Sequence, residues 1–165
     1  MNHHTFIGID PGLRRVSVAA VRGVQHRVAT RRLASSTHTN TAIVKLDELV
    51  EDCLDEVCDW NDWLPSAIMV EQPSGRFVNL SLSYATGVIL RAAEIYLPTL
   101  VVTTPSPQWK KTIGLKGNAG KPETMAYAQR FGYEGDIEDE ADAICIARAC
   151  QKLTTIEEAP IANAA

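Results

Sequence analysis

Four acidic residues stand where packing alone does not explain an acid. Asp10 closes the apolar run Thr5–Asp10 (TFIGID), Glu71 closes Ala67–Glu71 (AIMVE), and Asp139 and Asp142 open the otherwise apolar stretch DEADAICIARA. A carboxylate at the end of an apolar strand makes a poor core residue, because burying an unpaired charge is costly. The carboxyl ends of sheet strands are also where α/β folds place their sites. Asp139 and Asp142 are three residues apart, so a helix brings both to one face. Asp139 has an ordinary alternative as a first-turn acid, since a helix N-terminus favours negative charge. That alternative suits Asp142 less well, because Asp142 lies further in and adjoins Ala141, Ala143 and Ile144.

Carboxylates gathered at one point repel each other unless cations are present. Mg²⁺ is the natural partner: it takes oxygen ligands, keeps several waters and recruits phosphate oxygens to complete its shell. A pair of such ions activates water and stabilises the leaving oxygen of a phosphodiester. Competing chemistries fit less well. The loop Gly114–Pro122 looks like a phosphate-binding loop at first sight, but its spacing is one residue too long and Pro122 stands where Ser or Thr is required. Neither a GxSxG elbow nor an HExxH helix occurs. Cys53 and His26 could be paired on paper, but Cys53 belongs to an apolar helix face. His3 and His4 read as a mobile terminal pair.

Positioning these residues requires strands and helices in a definite order. Thr5–Asp10, Val16–Val21 and Arg27–Leu33 predict three strands joined by tight turns, an antiparallel meander. Ile43, Leu46, Leu49, Val50, Cys53, Leu54 and Val57 recur at helical spacing, with acids on the opposite side. Ala67–Glu71 predicts a buried strand, Asn79–Leu97 a helix and Leu100–Thr103 a further strand. A short helix is expected over Trp109–Leu115, another from Pro122 to Phe131, and a last one over Glu138–Leu153. The order βββ-α-β-α-β-α-α points to an α/β domain with a mixed sheet, a meander followed by parallel strands with crossover helices. One domain over residues 1–154 is expected, with 155–165 as a flexible tail.

Length and composition agree. The 165 residues, 45% hydrophobic and 22% charged, suit one globular domain. No stretch reads as a membrane span, and the N-terminus lacks the pattern of a signal peptide, so a cytoplasmic location is expected. The cysteines fall as Cys53/Cys58 and Cys145/Cys150, spacings of five that suit buried free thiols better than zinc ligands. The net charge of −4 conceals an asymmetry. Asp47, Glu48, Glu51, Asp52, Asp55, Glu56, Asp59 and Asp62 crowd one segment, and the rest of the chain is net positive. A basic face with an acidic back is compatible with binding DNA.

Taken in order, IGIDPG (Ile7–Gly12), VEQPSG (Val70–Gly75), WKKTIGLKGNAGKPETMAYA (Trp109–Ala128) and DEADAICIA (Asp139–Ala147) resemble the RuvC-type Holliday-junction resolvases over nearly the whole chain. The resemblance implies an RNase H-like fold with a mixed five-stranded sheet flanked by helices on both faces. It implies Mg²⁺-dependent cleavage of four-way DNA junctions by paired symmetric nicks, with two ions per active site and Mn²⁺ as a substitute. It also implies a homodimer packed along Asn79–Leu97. Carried over, Asp10, Glu71, Asp139 and Asp142 would be the metal ligands, with Lys121 completing the catalytic set. Lys121 and Lys110 or Lys111 match family lysines that meet DNA, and Arg14, Arg15, Arg76, Phe77 and Lys116 are further candidates for DNA contact from this chain's own basic and loop residues. The loop after Glu71 departs from the family: it is shorter, Pro73-Ser74-Gly75 replaces an apolar-aromatic run, and Phe77 is the one aromatic nearby. This departure bears on junction selectivity. A shortened loop would admit broader branched DNA without affecting metal-dependent hydrolysis. Two rival readings stand beside the resolvase one: an RNase H-like nuclease acting on structured RNA, and a junction-binding protein without activity, against which the retained four acids speak.

Overall fold

The computed structural model describes residues 4–58, 63–74, 80–97 and 99–157. Small and β-branched residues build the first three strands, β1 (Thr5–Pro11), β2 (Arg15–Arg22) and β3 (Gln25–Arg32). They pair antiparallel, and Gly23 takes the positive φ of 58° that the β2–β3 turn requires. After the helices α1 (Thr39–Val44) and α2 (Leu46–Val57), β4 (Pro65–Gln72) enters the sheet parallel to β1. Helix α3 (Leu80–Tyr96) then leads to β5 (Leu100–Pro105), which lies parallel to β4. The chain finishes with α4 (Ser106–Thr112), α5 (Lys121–Arg130) and α6 (Glu138–Glu157). The sheet has five strands in the order β3-β2-β1-β4-β5, so β1 is its central strand.

Strand alternation divides the core into two layers. Ile7, Ile9, Ile68 and Val70 face α2 and α3, together with Leu46, Val50, Leu54 and Ile89. Phe6, Ala67 and Met69 face the other way, against Trp109, Tyr127, Ile144 and Ala147. Helix α6 lies across β1, β2 and β4, and Gly8 is the reason it can come so near. A Cβ at Gly8 would overlap the carbonyl of Ala143 and the amide of Ala147, so a bare strand position lets the helix backbone rest on the sheet. Mixed pairing and helices on both faces therefore match the expected architecture.

Local differences have physical causes. The apolar spacing from Ile43 to Val57 predicts one helix, but the chain breaks at Lys45, whose amide sits 3.2 Å from both the Thr41 and Ala42 carbonyls. Leu46 is buried on the second piece, so the hydrophobic pattern continues through a break it cannot signal. Helix α4 starts earlier than expected, with Pro107 accommodated in its first turn where no amide is needed. It ends before Gly114, which has φ 89°. The last helix runs to Glu157 rather than Leu153. All four cysteines are buried free thiols, and burial lifts Cys53, Cys58 and Cys150 to about 12. Cys53 and His26 belong to opposite core layers, the latter beside Tyr133. His4 is bonded to Ser66 Oγ at 3.0 Å, while His3 lies outside the described residues. Among the described residues no helix is long and apolar enough to cross a membrane.

Candidate active site

Sheet register brings the first two carboxylates together. Ile9 of β1 is level with Val70 of β4, so Asp10 and Glu71 follow side by side at the ends of neighbouring parallel strands. Counting by twos from Phe6 and from Ala67 puts both on the layer that α6 covers. The contact of α6 with Gly8 then sets the helix N-terminus over those strand ends. From there Asp139 and Asp142, each 8% exposed, join the group.

Cations hold this charge. Lys121, at the start of α5, donates from Nζ to Asp142 Oδ2 at 2.5 Å and to Asp139 Oδ1 at 3.1 Å. Arg15 Nη1 lies 2.5 Å from Asp139 Oδ2. Glu71 Oε2 accepts from the indole Nε1 of Trp109 at 2.7 Å. Asp142 Oδ1 is buried with no hydrogen-bond partner.

The electrostatics follow from burial. Desolvation pushes the Asp10 carboxyl well above the ordinary carboxylate range; Glu71, Asp142 and Asp139 push it further, and Lys121 pulls it back. Burial also raises Glu71, against the lowering effect of the Trp109 hydrogen bond. Burial pulls the Lys121 ammonium down, but its bonds to Asp142 and Asp139 and the nearby Asp10 charge outweigh that and hold it above its usual range.

As they stand, among the described residues, no three His, Cys, Asp or Glu side chains gather closely enough to hold one ion; Asp139 and Asp142 are instead paired with Lys121 and Arg15. The donor set nevertheless fits a magnesium-like ion. It is all oxygen, one buried carboxylate oxygen of Asp142 has no partner, and such an ion needs only one or two carboxylates besides waters and phosphate.

The basic residues divide. Arg14 donates to the Thr37 carbonyl at 2.9 Å and to Thr39 Oγ1 at 3.2 Å, so it ties the segment before α1 to the β1–β2 turn. Lys110 donates to the Ala119 carbonyl at 2.8 Å and lies over the Trp109 ring. Lys111 and Lys116 are exposed. Arg76 and Phe77 lie outside the described residues. A cavity of about 280 Å³ lined by Gly12, Leu13, Arg14, Arg15, Arg32, Leu33 and Ser35 borders the β1 side of the site. A larger one of about 710 Å³, lined by Ser74, Pro105–Gln108, Lys111 and Thr112, borders the β4–β5 side. Sequence reasoning took Trp109 only as the start of a short helix, and did not find the Arg15–Asp139 pair. The available signal for Trp109 was chemical: a buried indole N–H needs an acceptor.

At the sequence level no family model and no curated protein matches the chain. Among solved structures it is similar to Thermus thermophilus RuvC, at TM-score 0.70 and 18% identity over 93% of this chain and 96% of that one. The same Thermus thermophilus protein in complex with Holliday junction substrate gives TM-score 0.72, with equal identity and coverage. The chain has the RuvC-like form of the RNase H-like α/β fold.

Proposed function

We propose that the protein is a divalent-metal-dependent endonuclease that cuts branched DNA, with the four-way junction as its principal substrate. The observation that carries this reading is the convergence of Asp10 and Glu71, at the ends of β1 and β4, with Asp139 and Asp142, on the first turns of α6, where Lys121 bridges Asp139 and Asp142 and Arg15 pairs with Asp139. A junction complex of a protein with the same fold supports the choice of substrate. Asp10, Glu71, Asp139 and Asp142 would hold the ions. Bound there, two Mg²⁺ ions would supply an activated water and stabilise the leaving oxygen. Lys121, a cation on a flexible stem, can exchange its carboxylate partners for a phosphate oxygen. Arg32, which lines a cavity with the Asp139 partner Arg15, and Lys111, which lines one with Ser74 and Pro105 at the ends of β4 and β5, would supply charge for the sugar-phosphate backbone. Acid-dense surface on α2 would repel the same backbone and so orient the molecule.

A second copy would complete the paired nicks. Leu80, Tyr84, Gly87, Arg91 and Ile95 recur at helical spacing along one stripe of α3, and Leu80, Tyr84 and Ile95 are each at least 60% exposed. An apolar helical stripe of this kind is suited to a symmetric helix-to-helix interface.

The decisive experiment is digestion of a four-way junction, a flap and a structured RNA, with Mg²⁺ and with Mn²⁺. Wild type should cut the junction at symmetric positions, and Asp10→Asn should lower cleavage by at least a thousandfold (~4 kcal/mol of barrier) while retaining junction binding. Unchanged cleavage by Asp10→Asn would sink the assignment. Preferential cutting of RNA would move the substrate class.

A further inference from the structure

We infer that Trp109 is a positioning residue for Glu71. The consequence for metal binding rests on the nuclease reading above; the pairing itself does not. Glu71 on β4 is level with Thr104 on β5, and α4 begins directly after β5. Pro105 in extended conformation turns the chain, and Trp109 falls back over the end of β4. Its side chain is fully buried among the residues that also pack α6.

An indole has one hydrogen-bonding group, a donor, and leaving it unpaired in a core is costly. Here the donor meets Glu71 Oε2 at 2.7 Å, a charge-assisted bond. One Glu71 oxygen is thereby committed and the carboxylate plane fixed, while the other oxygen remains for a ligand. An indole cannot accept, so the bond specifically favours the ionised, ligand-ready form. The same helix steadies the opposite side of the site. Lys110, over the Trp109 ring at 5.2 Å, donates to the Ala119 carbonyl. Glu123 caps the Gly120 amide at 2.9 Å, and the next residue is Lys121, which reaches Asp142 and Asp139.

Plain core packing is the rival explanation, and a shape-conserving change separates the two. Site-specific replacement of Trp109 by benzothienylalanine keeps the ring volume but has no N–H; Trp109→Phe serves as the genetically simple companion. Mn²⁺ binding to metal-free protein, followed by electron paramagnetic resonance with Mg²⁺ as competitor, should weaken about 10–100-fold in both. In a Glu71→Gln background the same replacements should add less than a twofold loss. Unchanged Mn²⁺ affinity in the benzothienylalanine protein would overturn the inference. If wild type itself takes up no Mn²⁺, the nuclease reading fails and a metal-free measurement decides the pairing. The Trp109 indole proton resonance should then be protected from exchange and move in Glu71→Gln; an unmoved resonance would reject it.

Discussion

Asp10 sits at the end of the central strand, where burial and the charges of Glu71, Asp142 and Asp139 all favour its protonated form. The folded, metal-free protein therefore binds this proton more tightly than the unfolded chain. The stability that the proton contributes is present at low pH and is lost as pH rises from the unfolded value near about 4 through the raised folded one. Asp10→Asn removes the strain of ionisation. Without metal at pH 7 it should melt a few degrees above wild type, at ~2–4 °C per kcal/mol, with the difference closing towards pH 4; scanning calorimetry across pH checks this. Lys121 works in the opposite sense. Its side chain is 40% exposed, so after discounting for solvent, Lys121→Met should cost about 1–2 kcal/mol of metal-free stability. It should also bind Mn²⁺ several-fold more tightly, because Asp139 and Asp142 lose a competing cation; calorimetric titration reads both. At this scale the sequence was most legible where an acid interrupts an apolar run, as at Asp10, Glu71 and Asp142. Asp139 drew its support mainly from resemblance, and Trp109 was hidden because a buried aromatic on a short helix has an ordinary packing explanation.

Among the elements, periodicity carried the strands and most helices, since one face of each must be apolar. It could not show the break at Lys45, where buried positions continue in phase across the interruption. Nor could it show that β4 inserts beside β1, a pairing between segments distant in sequence. Nor could it show that α4 begins at Ser106, where Pro107 occupies the first turn. The contact between α6 and β1 depends on Gly8 having no side chain, with the Ala143 carbonyl and Ala147 amide in the space a methyl would need. Gly8→Ala should therefore destabilise by about 3 kcal/mol, near the upper end of overpacking costs, as measured by urea unfolding. Because α6 carries Asp139 and Asp142, the same change should lower Mn²⁺ affinity even in the fraction that remains folded. A surface-neutral outcome on both readouts would show that the sheet and helix can part without consequence for the carboxylates.

For the molecule as a whole, the exposed stripe of α3 predicts association. Sedimentation of wild type should give a dimer, and Tyr84→Arg, which places charge on a side chain 60% exposed, should shift it to monomer with little change in thermal midpoint. A monomeric wild type would remove the second copy from the account of paired nicks. The carboxylates also come from segments far apart along the chain: one on the first strand, one on the fourth, and two on the last helix. A partial chain emerging from the ribosome holds Asp10 and Glu71 long before Asp139 and Asp142 exist. Completion of the fold is thus a condition for the proposed site: a chain still lacking the last helix cannot bring the four carboxylates together, whatever the state of its first four strands.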